Sequence, residues 1–200
     1  MRTAAQVFLR HGLAQGTMEQ VAAAAGVTKM VLYRRFASKD LLIRAIFETT
    51  VARLREGDGG PWYGYGGGTR RVLAAARSFE DGYILLIRDG RQQAAYRSYY
   101  NDLRTRTGRR LTALLWFPKR PPPLDQRPAL YAAVLEPMIS FCNDAIDHWV
   151  QNGDPAMDDV FIRWCGSMMR DWRRNAAELL GLPSPTTEYP FETENAEPLS

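Results

Sequence analysis

The segment 28–36 carries three side chains able to bind polyanions on one side of a predicted short helix. Leu32 and Phe36 are four residues apart and, with Val27, are expected to point into a core. The opposite, exposed side then carries Lys29, Met30, Tyr33 and Arg34. Arg and Lys bind guanine edges or phosphate, and Tyr binds phosphate while its ring packs on sugar. The spacing therefore predicts a surface suited to the major groove of duplex DNA.

Residues that could suggest a hydrolase or a metal site lack the required arrangement. Ser140, Asp144 and His148 have no nucleophile elbow, and no strand is predicted that could build one. Cys142 and His148 are six residues apart, about two-thirds of a turn away from a shared helix face. Cys165 has no CxxC partner, and both cysteines are interpreted as core residues. We expect a non-enzyme with no catalytic residue, no metal ligand and no cofactor.

Two short helices joined by a tight turn are predicted to present this surface. Thr17 is followed three residues later by Gln20, which is a capping box that starts a helix at Met18. Gly26 tolerates a left-handed turn and ends that helix, and Thr28 caps the next. This order is a helix-turn-helix.

A further predicted helix begins directly after the helix-turn-helix. Ser38 is its cap, and Lys39 stands in its first turn. The backbone N–H groups of that turn and the Lys39 ammonium together make an anion site suited to a DNA phosphate.

About 45 residues of this region resemble the TetR family of transcriptional regulators. The matching residues are Ala4-Ala5-x-x-Phe8-x-x-x-Gly12, Thr17-x-x-x-Val21-Ala22-x-x-Ala25-Gly26-Val27-Thr28-Lys29 and Leu32-Tyr33-x-x-Phe36-x-Ser38-Lys39-x-x-Leu42. The resemblance implies a homodimer of all-helical subunits, each with an N-terminal three-helix DNA-binding unit. It also implies a C-terminal helical domain that binds a small effector and dimerises through its last two long helices.

The resemblance also assigns DNA-contacting positions. They correspond here to Thr17, Met18, Thr28, Lys29, Met30, Val31, Tyr33, Arg34, Arg35 and Lys39. Thr17, Tyr33 and Lys39 are expected to contact phosphate. Lys29 and Arg34 are expected to contact base edges, with Met30 and Val31 against thymine methyl groups.

Two departures from the family pattern bear on these contacts. The chain begins nearly inside its first helix, whereas the family has a longer helix preceded by a basic arm. Met30 stands where the family has a small residue or proline, so operator preference does not carry over from relatives.

Composition and charge fit this interpretation. The chain has 200 residues, of which 46% are hydrophobic and 24% charged, and its net charge is +4. Residues 1–55 hold nine bases against three acids, a net +6, which favours a polyanionic partner for that region. Without a long apolar run, a signal segment or a cysteine framework, we expect a cytoplasmic protein with no membrane association.

An all-α fold is predicted, since helical periodicity dominates the chain. Helices are expected near 3–11, 18–25, 28–36, 39–55, 69–88, 91–117, 128–152 and 157–180. Residues 57–68 contain seven glycines and are interpreted as a flexible connection rather than a phosphate loop. The expected domains are a DNA-binding domain over 1–55, an effector-binding and dimerisation domain over 56–182, and an extended or disordered tail over 183–200.

The second domain carries an aromatic-rich set that favours a small apolar or aromatic effector. The candidate effector-binding residues are Tyr96, Tyr100, Glu136 and Asn143. The sequence thus predicts a ligand-responsive, sequence-specific repressor released from a palindromic operator. Two alternatives remain: a helical enzyme or carrier whose helix-turn-helix is only structural, and a DNA binder without an effector.

Overall fold

The protein is described by a computed structural model over residues 1–56, 64–116 and 128–180. Within these ranges the chain forms helices and no strand, which confirms the predicted all-α class. The α-helices are α1 (Arg2–Gln15), α2 (Met18–Ala24), α3 (Lys29–Arg35), α4 (Lys39–Glu56), α5 (Gly67–Ser78), α6 (Glu80–Leu85), α7 (Arg97–Trp116), α8 (Pro128–Asn152) and α9 (Asp158–Leu180).

The chain packs as two compact units. Two of the boundaries between them fall within α5 and α7, so each of these helices contributes residues to both units. The first unit contains residues 1–57 and 74–103, and the second contains the remainder. The predicted division at residues 55–56 concerns function rather than packing, and it stays a prediction.

The first unit is built on a core that joins α1, α4 and α6. Phe8, Ile46, Phe47 and Leu85 are completely buried, and Tyr83 is almost so. Each such side chain contributes on the order of 1.5–3 kcal/mol when it leaves water. This core fixes α4 behind the helix-turn-helix, since α1 also packs on α2 and α2 on α3.

A predicted single helix over 69–88 is broken in the structure. Phe79 leaves the helical region (φ −148°, ψ 63°) and separates α5 from α6. The Ser78 carbonyl accepts hydrogen bonds from Arg2 Nη2 at 2.8 Å and Arg53 Nη1 at 3.4 Å. These donors satisfy a carbonyl at the end of α5, so the break leaves it paired. The helix after α6 passes through a π turn at Leu86–Gly90, and α7 begins only at Arg97.

The second unit packs α7, α8 and α9 around an apolar cluster. Its buried members are Leu111, Val134, Met138, Ile139, Met169 and Ala176. The start of α9 is tied to the end of α8 by a 2.6 Å hydrogen bond from Trp149 Nε1 to Asp158 Oδ1. Gly153 is required at the turn, because a Cβ there would lie 2.4 Å from the Trp149 ring.

Several sequence predictions fall wholly or partly outside the described residues. Residues 118–128 hold five prolines and are predicted to lie outside helix interiors, and of these only Pro128 is described. The tail at 183–200 is not described, and neither is the glycine-rich stretch up to residue 63. The last two residues of the glycine-rich stretch 57–68, Gly67 and Gly68, lie in the first turn of α5. In the described parts of the chain, no helix is both long and apolar enough to cross a membrane.

Candidate nucleic-acid interface

Local caps hold the helix-turn-helix. Thr17 Oγ1 accepts the Gln20 N–H at 3.2 Å, while Gln20 Oε1 accepts the Thr17 N–H at 2.8 Å. Gly26 has φ +64°, a conformation that side chains with a Cβ rarely adopt. Thr28 Oγ1 then accepts the Val31 N–H at 3.3 Å. The predicted capping box, glycine turn and second cap are confirmed.

The two sides of α3 differ sharply in exposure. Leu32 is 8% exposed, whereas Met30 on the other side is 72% exposed. The remaining candidate contacts in this segment are all exposed; they are Thr28, Lys29, Val31, Tyr33, Arg34 and Arg35. A continuous solvent-facing surface of mixed cationic and apolar character is therefore available on α3.

Val27 and Phe36 depart from the expected core of this region. Val27 is 39% exposed, so its prediction as a core residue was wrong. It lies in the tight turn, where its N–H bonds to the Ala22 carbonyl at 3.0 Å and its side chain remains at the surface. Phe36 is half-buried at the end of α3.

The Lys29 ammonium has two neighbours on the protein. It forms an ion pair with Glu19 in the first turn of α2, and it lies 5.5 Å from the centroid of the Tyr33 ring. The hydrogen bond from Lys29 lowers the pKa of the Glu19 carboxyl, and the same bond raises the pKa of Lys29. Both groups are therefore charged at neutral pH. Arg34, in contrast, has no ion-pair partner among the described residues.

The first turn of α4 lies beside the end of α1. Ser38 Oγ accepts the Leu41 N–H at 3.2 Å, which confirms the predicted cap. Lys39 Nζ donates a 2.8 Å hydrogen bond to the Ala14 carbonyl. The ammonium is therefore held at the junction of α1 and α4, where its other two N–H groups remain for an anion.

The two candidates at the start of α2 differ. The Thr17 side chain is exposed, although its hydroxyl already serves as a cap acceptor. Met18 is only 3% exposed and belongs to the core of the unit. Its side chain is not at the surface and is therefore not available to contact DNA.

The same region is where known proteins match. Residues 1–46 fit the profile of a family described as bacterial regulatory proteins, tetR family. Residues 1–46 are therefore similar to the N-terminal domain of TetR-family regulators. The matched residues run from α1 through the helix-turn-helix into the first half of α4.

A solved structure has a similar fold over most of the length of this chain. It is the crystal structure of a tetR-family transcriptional regulator from Streptomyces coelicolor, with a TM-score of 0.63 and 17% identity. The likeness covers 90% of this chain and 82% of that one, and at this identity it concerns the fold alone. No curated protein matches the chain.

The four candidate effector residues are not brought together in one unit. Tyr96 and Tyr100 are buried in the first unit, and the Tyr96 hydroxyl donates to Asp40 Oδ1 at 2.9 Å. Glu136 and Asn143 lie on α8 in the second unit. Glu136 is exposed and pairs with Arg104 at 2.8 Å, whereas Asn143 is buried.

Asn143 has one satisfied and one unsatisfied polar atom. Its Oδ1 accepts a 3.0 Å hydrogen bond from Thr107 Oγ1 on α7. Its Nδ2 is buried and has no hydrogen-bond partner among the described residues. A buried amide N–H pair without an acceptor is costly, so this atom is suited to a ligand that supplies one.

The groups considered for other chemistry are engaged elsewhere. Arg104 Nη1 lies 3.5 Å from Ser140 Oγ, and His148 Nδ1 lies 3.5 Å from Asn152 Nδ2. Burial raises the pKa of both Cys142 and Cys165 to about 12, so these thiols are protonated and weakly nucleophilic at neutral pH.

Sequence reasoning missed Glu19 as part of the candidate interface. In the sequence, Glu19 stands out only as one of the three acids in the basic region 1–55. An acid in the first turn of α2 and a base in the first turn of α3 are the available signal. The tight turn at Gly26 is what brings those two first turns into contact.

Proposed function

We propose that this protein is a transcriptional regulator of the TetR type, a ligand-responsive repressor that binds a palindromic operator as a homodimer. The observation that carries operator reading is the exposed side of α3, displayed by a capped helix-turn-helix. Arg34 is unpaired there, and its planar guanidinium suits the two acceptors of a guanine edge. Lys29 is the second base-reading residue, and Met30 and Val31 offer apolar contact to thymine methyl groups.

Phosphate contacts would fix this helix in the groove. We assign them to Thr17, Tyr33 and Lys39, with Thr28 and Arg35 at the two ends of α3. Lys39 is the best supported, because its ammonium is fixed at a helix N-terminus whose N–H groups also favour an anion. Such contacts give affinity that falls with salt and carries little sequence information.

The exposed face of α9 supports the homodimer. Val160, Trp164 and Met168 are spaced by four residues along one side, and each is at least 37% exposed in the single chain. The Trp164 ring also lies 5.5 Å from the Phe141 ring of α8. A second copy of the chain would cover this stripe and form a four-helix interface from α8 and α9.

The unsatisfied side-chain amide of Asn143 supports an effector-binding site in the second unit. Its free amide N–H groups are suited to a carbonyl or similar acceptor. Met138 and Ile139 on the same helix, and Leu111 on α7, supply apolar surroundings in that unit. We therefore propose a small apolar or aromatic effector that carries at least one hydrogen-bond acceptor.

Selection of duplexes from a random library, followed by binding measurements, tests this function. The expected product is a palindrome whose half-sites are about one or more helical turns apart, bound by a dimer. Small aromatic carbonyl compounds are then tested for release of that duplex. Failure to enrich any sequence would reject operator reading. Enrichment without release by any compound would favour the effector-independent DNA binder.

A further inference from the structure

Glu19 forms an ion pair across the helix-turn-helix that the proposed base contacts do not explain. It lies in the first turn of α2, and its partner Lys29 lies in the first turn of α3. Both side chains are more than half exposed, so the pair stands on the surface offered to DNA. A carboxylate at this place repels phosphate, and it occupies a cation that would otherwise bind one.

The ion pair leaves Lys29 accessible but not free. The Glu19 carboxylate takes one side of the ammonium, and the Tyr33 ring lies at 5.5 Å. An ammonium has three N–H donors, so at least one remains for a third partner. Exposed ion pairs of this kind contribute only about 0.2–1 kcal/mol, so the arrangement biases Lys29 without locking it.

A paired cation contributes little to binding of random DNA. Non-specific affinity comes from cations that replace condensed counterions on phosphates. Lys29 would have to give up Glu19 to join them, and the carboxylate itself would remain close to the backbone. The Glu19–Lys29 ion pair thus lowers the affinity for random DNA more than it lowers the affinity for a duplex that binds both side chains.

A G·C base pair is a site that uses both partners. In the major groove it presents the guanine O6 and N7 acceptors beside the cytosine N4 donor. The Lys29 ammonium and the Glu19 carboxylate present a donor and an acceptor side by side, which complements two adjacent acceptors followed by a donor. An A·T pair instead places its adenine N6 donor between the adenine N7 and thymine O4 acceptors, so it lacks two adjacent acceptors.

We propose that Glu19 is a specificity-determining residue, which withholds Lys29 from phosphates and reads a G·C pair together with it. This inference rests on the proposed operator reading by α3. It adds an acidic residue of α2 to a surface otherwise defined by bases and apolar groups.

The test compares Glu19→Gln with Glu56→Gln on selected and random duplexes across a salt series. Both variants gain one positive charge, but Glu56 is exposed at the far end of α4 and makes no ion pair within the described chain. For Glu19→Gln we expect about one additional unit of salt slope on random DNA for each subunit in contact. We also expect random binding at 0.1 M salt to be about eightfold tighter for each such subunit, because Lys29 becomes a phosphate contact.

Discrimination gives the second readout. For Glu19→Gln we expect the selected duplex to lose its preference at one G·C position in each half-site. The ratio of selected to random affinity should fall about tenfold. In a Lys29→Ala background, Glu19→Gln should no longer change the salt slope.

The outcomes separate this inference from the proposed function. If the parent selects an operator but Glu19→Gln behaves like Glu56→Gln, the role of Glu19 is overturned and operator reading stands. A change in salt slope that persists in the Lys29→Ala background would also overturn the role of Glu19, since the change would then come from net charge alone. A parent that prefers no duplex would overturn both. Circular dichroism checks that the helix content is unchanged in each variant.

Discussion

Tyr96 Oη donates a hydrogen bond to Asp40 Oδ1 at 2.9 Å and so joins the residue before α7 to the first turn of α4. Asp40 also accepts a 2.7 Å bond from Arg44 Nε, one turn further along α4. The Tyr96 ring packs edge-on against Phe47 at 5.3 Å. The turn that carries Lys39 is therefore fixed by the segment that leads into α7.

Removal of the Tyr96 hydroxyl should destabilise the first unit. In Tyr96→Phe the ring packing on Phe47 is kept, while Asp40 loses a charge-assisted hydrogen bond. Because Asp40 is half-exposed and keeps Arg44, we expect a loss of about 1 kcal/mol in the free energy of unfolding, measured in urea. Tyr99→Phe is the matched control, since its 3.2 Å bond to Glu48 is exposed and should matter less. Equal losses in the two variants would contradict this role.

The Asp40 carboxyl should make stability depend on acid pH. The Arg44 hydrogen bond first, and the Tyr96 hydroxyl second, lower the pKa of Asp40 in the folded protein. A lowered folded pKa gives stability that is present above the unfolded value of about 4 and is lost as pH falls through the folded value. Asp40→Asn should therefore flatten the fall in unfolding free energy below about pH 4. A parallel, merely displaced curve would contradict the assignment.

The Tyr96 hydroxyl should have the opposite dependence at alkaline pH. Burial, and then the Asp40 carboxylate, raise the pKa of Tyr96 to about 12. Its contribution is present below the unfolded value of about 10 and is lost as pH rises towards the folded value. Titration by absorbance near 295 nm should show a late-ionising tyrosine in the parent that is missing from Tyr96→Phe. An unchanged titration curve would reject the assignment to Tyr96.

Arg34 and Lys39 should affect DNA binding in different ways. Arg34→Ala should cost about 1–3 kcal/mol on the selected operator and relax discrimination at one or two base pairs in each half-site. Lys39→Ala should weaken binding to all duplexes and reduce the salt slope by about one unit. Salt series on operator and random DNA distinguish the two patterns. Unchanged operator binding by a Lys29→Ala, Arg34→Ala double variant would reject the base-reading assignment.

The α9 stripe gives a test of assembly. Trp164→Glu places a charge at the centre of the proposed four-helix interface and should shift the protein to monomer at micromolar concentration in sedimentation. Leu41→Glu is the control, since Leu41 is similarly exposed but lies on α4. It should remain dimeric. A parent that sediments as a monomer while its DNA binding is intact would remove the claim.

Local features of the site could be predicted because they depend on neighbours in sequence. The Thr17–Gln20 capping box and the Thr28 cap join residues three apart, and Gly26 satisfies a backbone requirement of its own turn. Val27 shows the limit of that reasoning. The sequence predicts Val27 in the core together with Leu32, but Val27 belongs to the turn, where helical periodicity does not apply.

Contacts between distant segments could not be predicted in this way. The sequence predicts Tyr96 as an effector contact, whereas the structure shows its hydroxyl bound to Asp40, which is 56 residues away in the chain. Phe79 interrupts a helix whose local sequence favours continuation, and Arg2 and Arg53 bind the Ser78 carbonyl at that break. Partners so far apart in the chain leave no periodic signal.

Asn143 and Thr107 allow an effector contact to be separated from a structural one. In the double variant Thr107→Val, Asn143→Leu both members of the buried hydrogen bond become apolar at similar volume, and the unsatisfied Nδ2 is removed. Such replacement is close to neutral for folding, so we expect the free energy of unfolding to change by less than about 1 kcal/mol. Release of the operator by an aromatic carbonyl compound active on the parent should need at least about tenfold more compound, which corresponds to about 1.4 kcal/mol of lost binding. Ser140→Ala, on the same helix, is the matched control and should respond like the parent. If the double variant is released at the parent's concentration, Asn143 does not bind the effector and its buried amide is only a structural feature of α8.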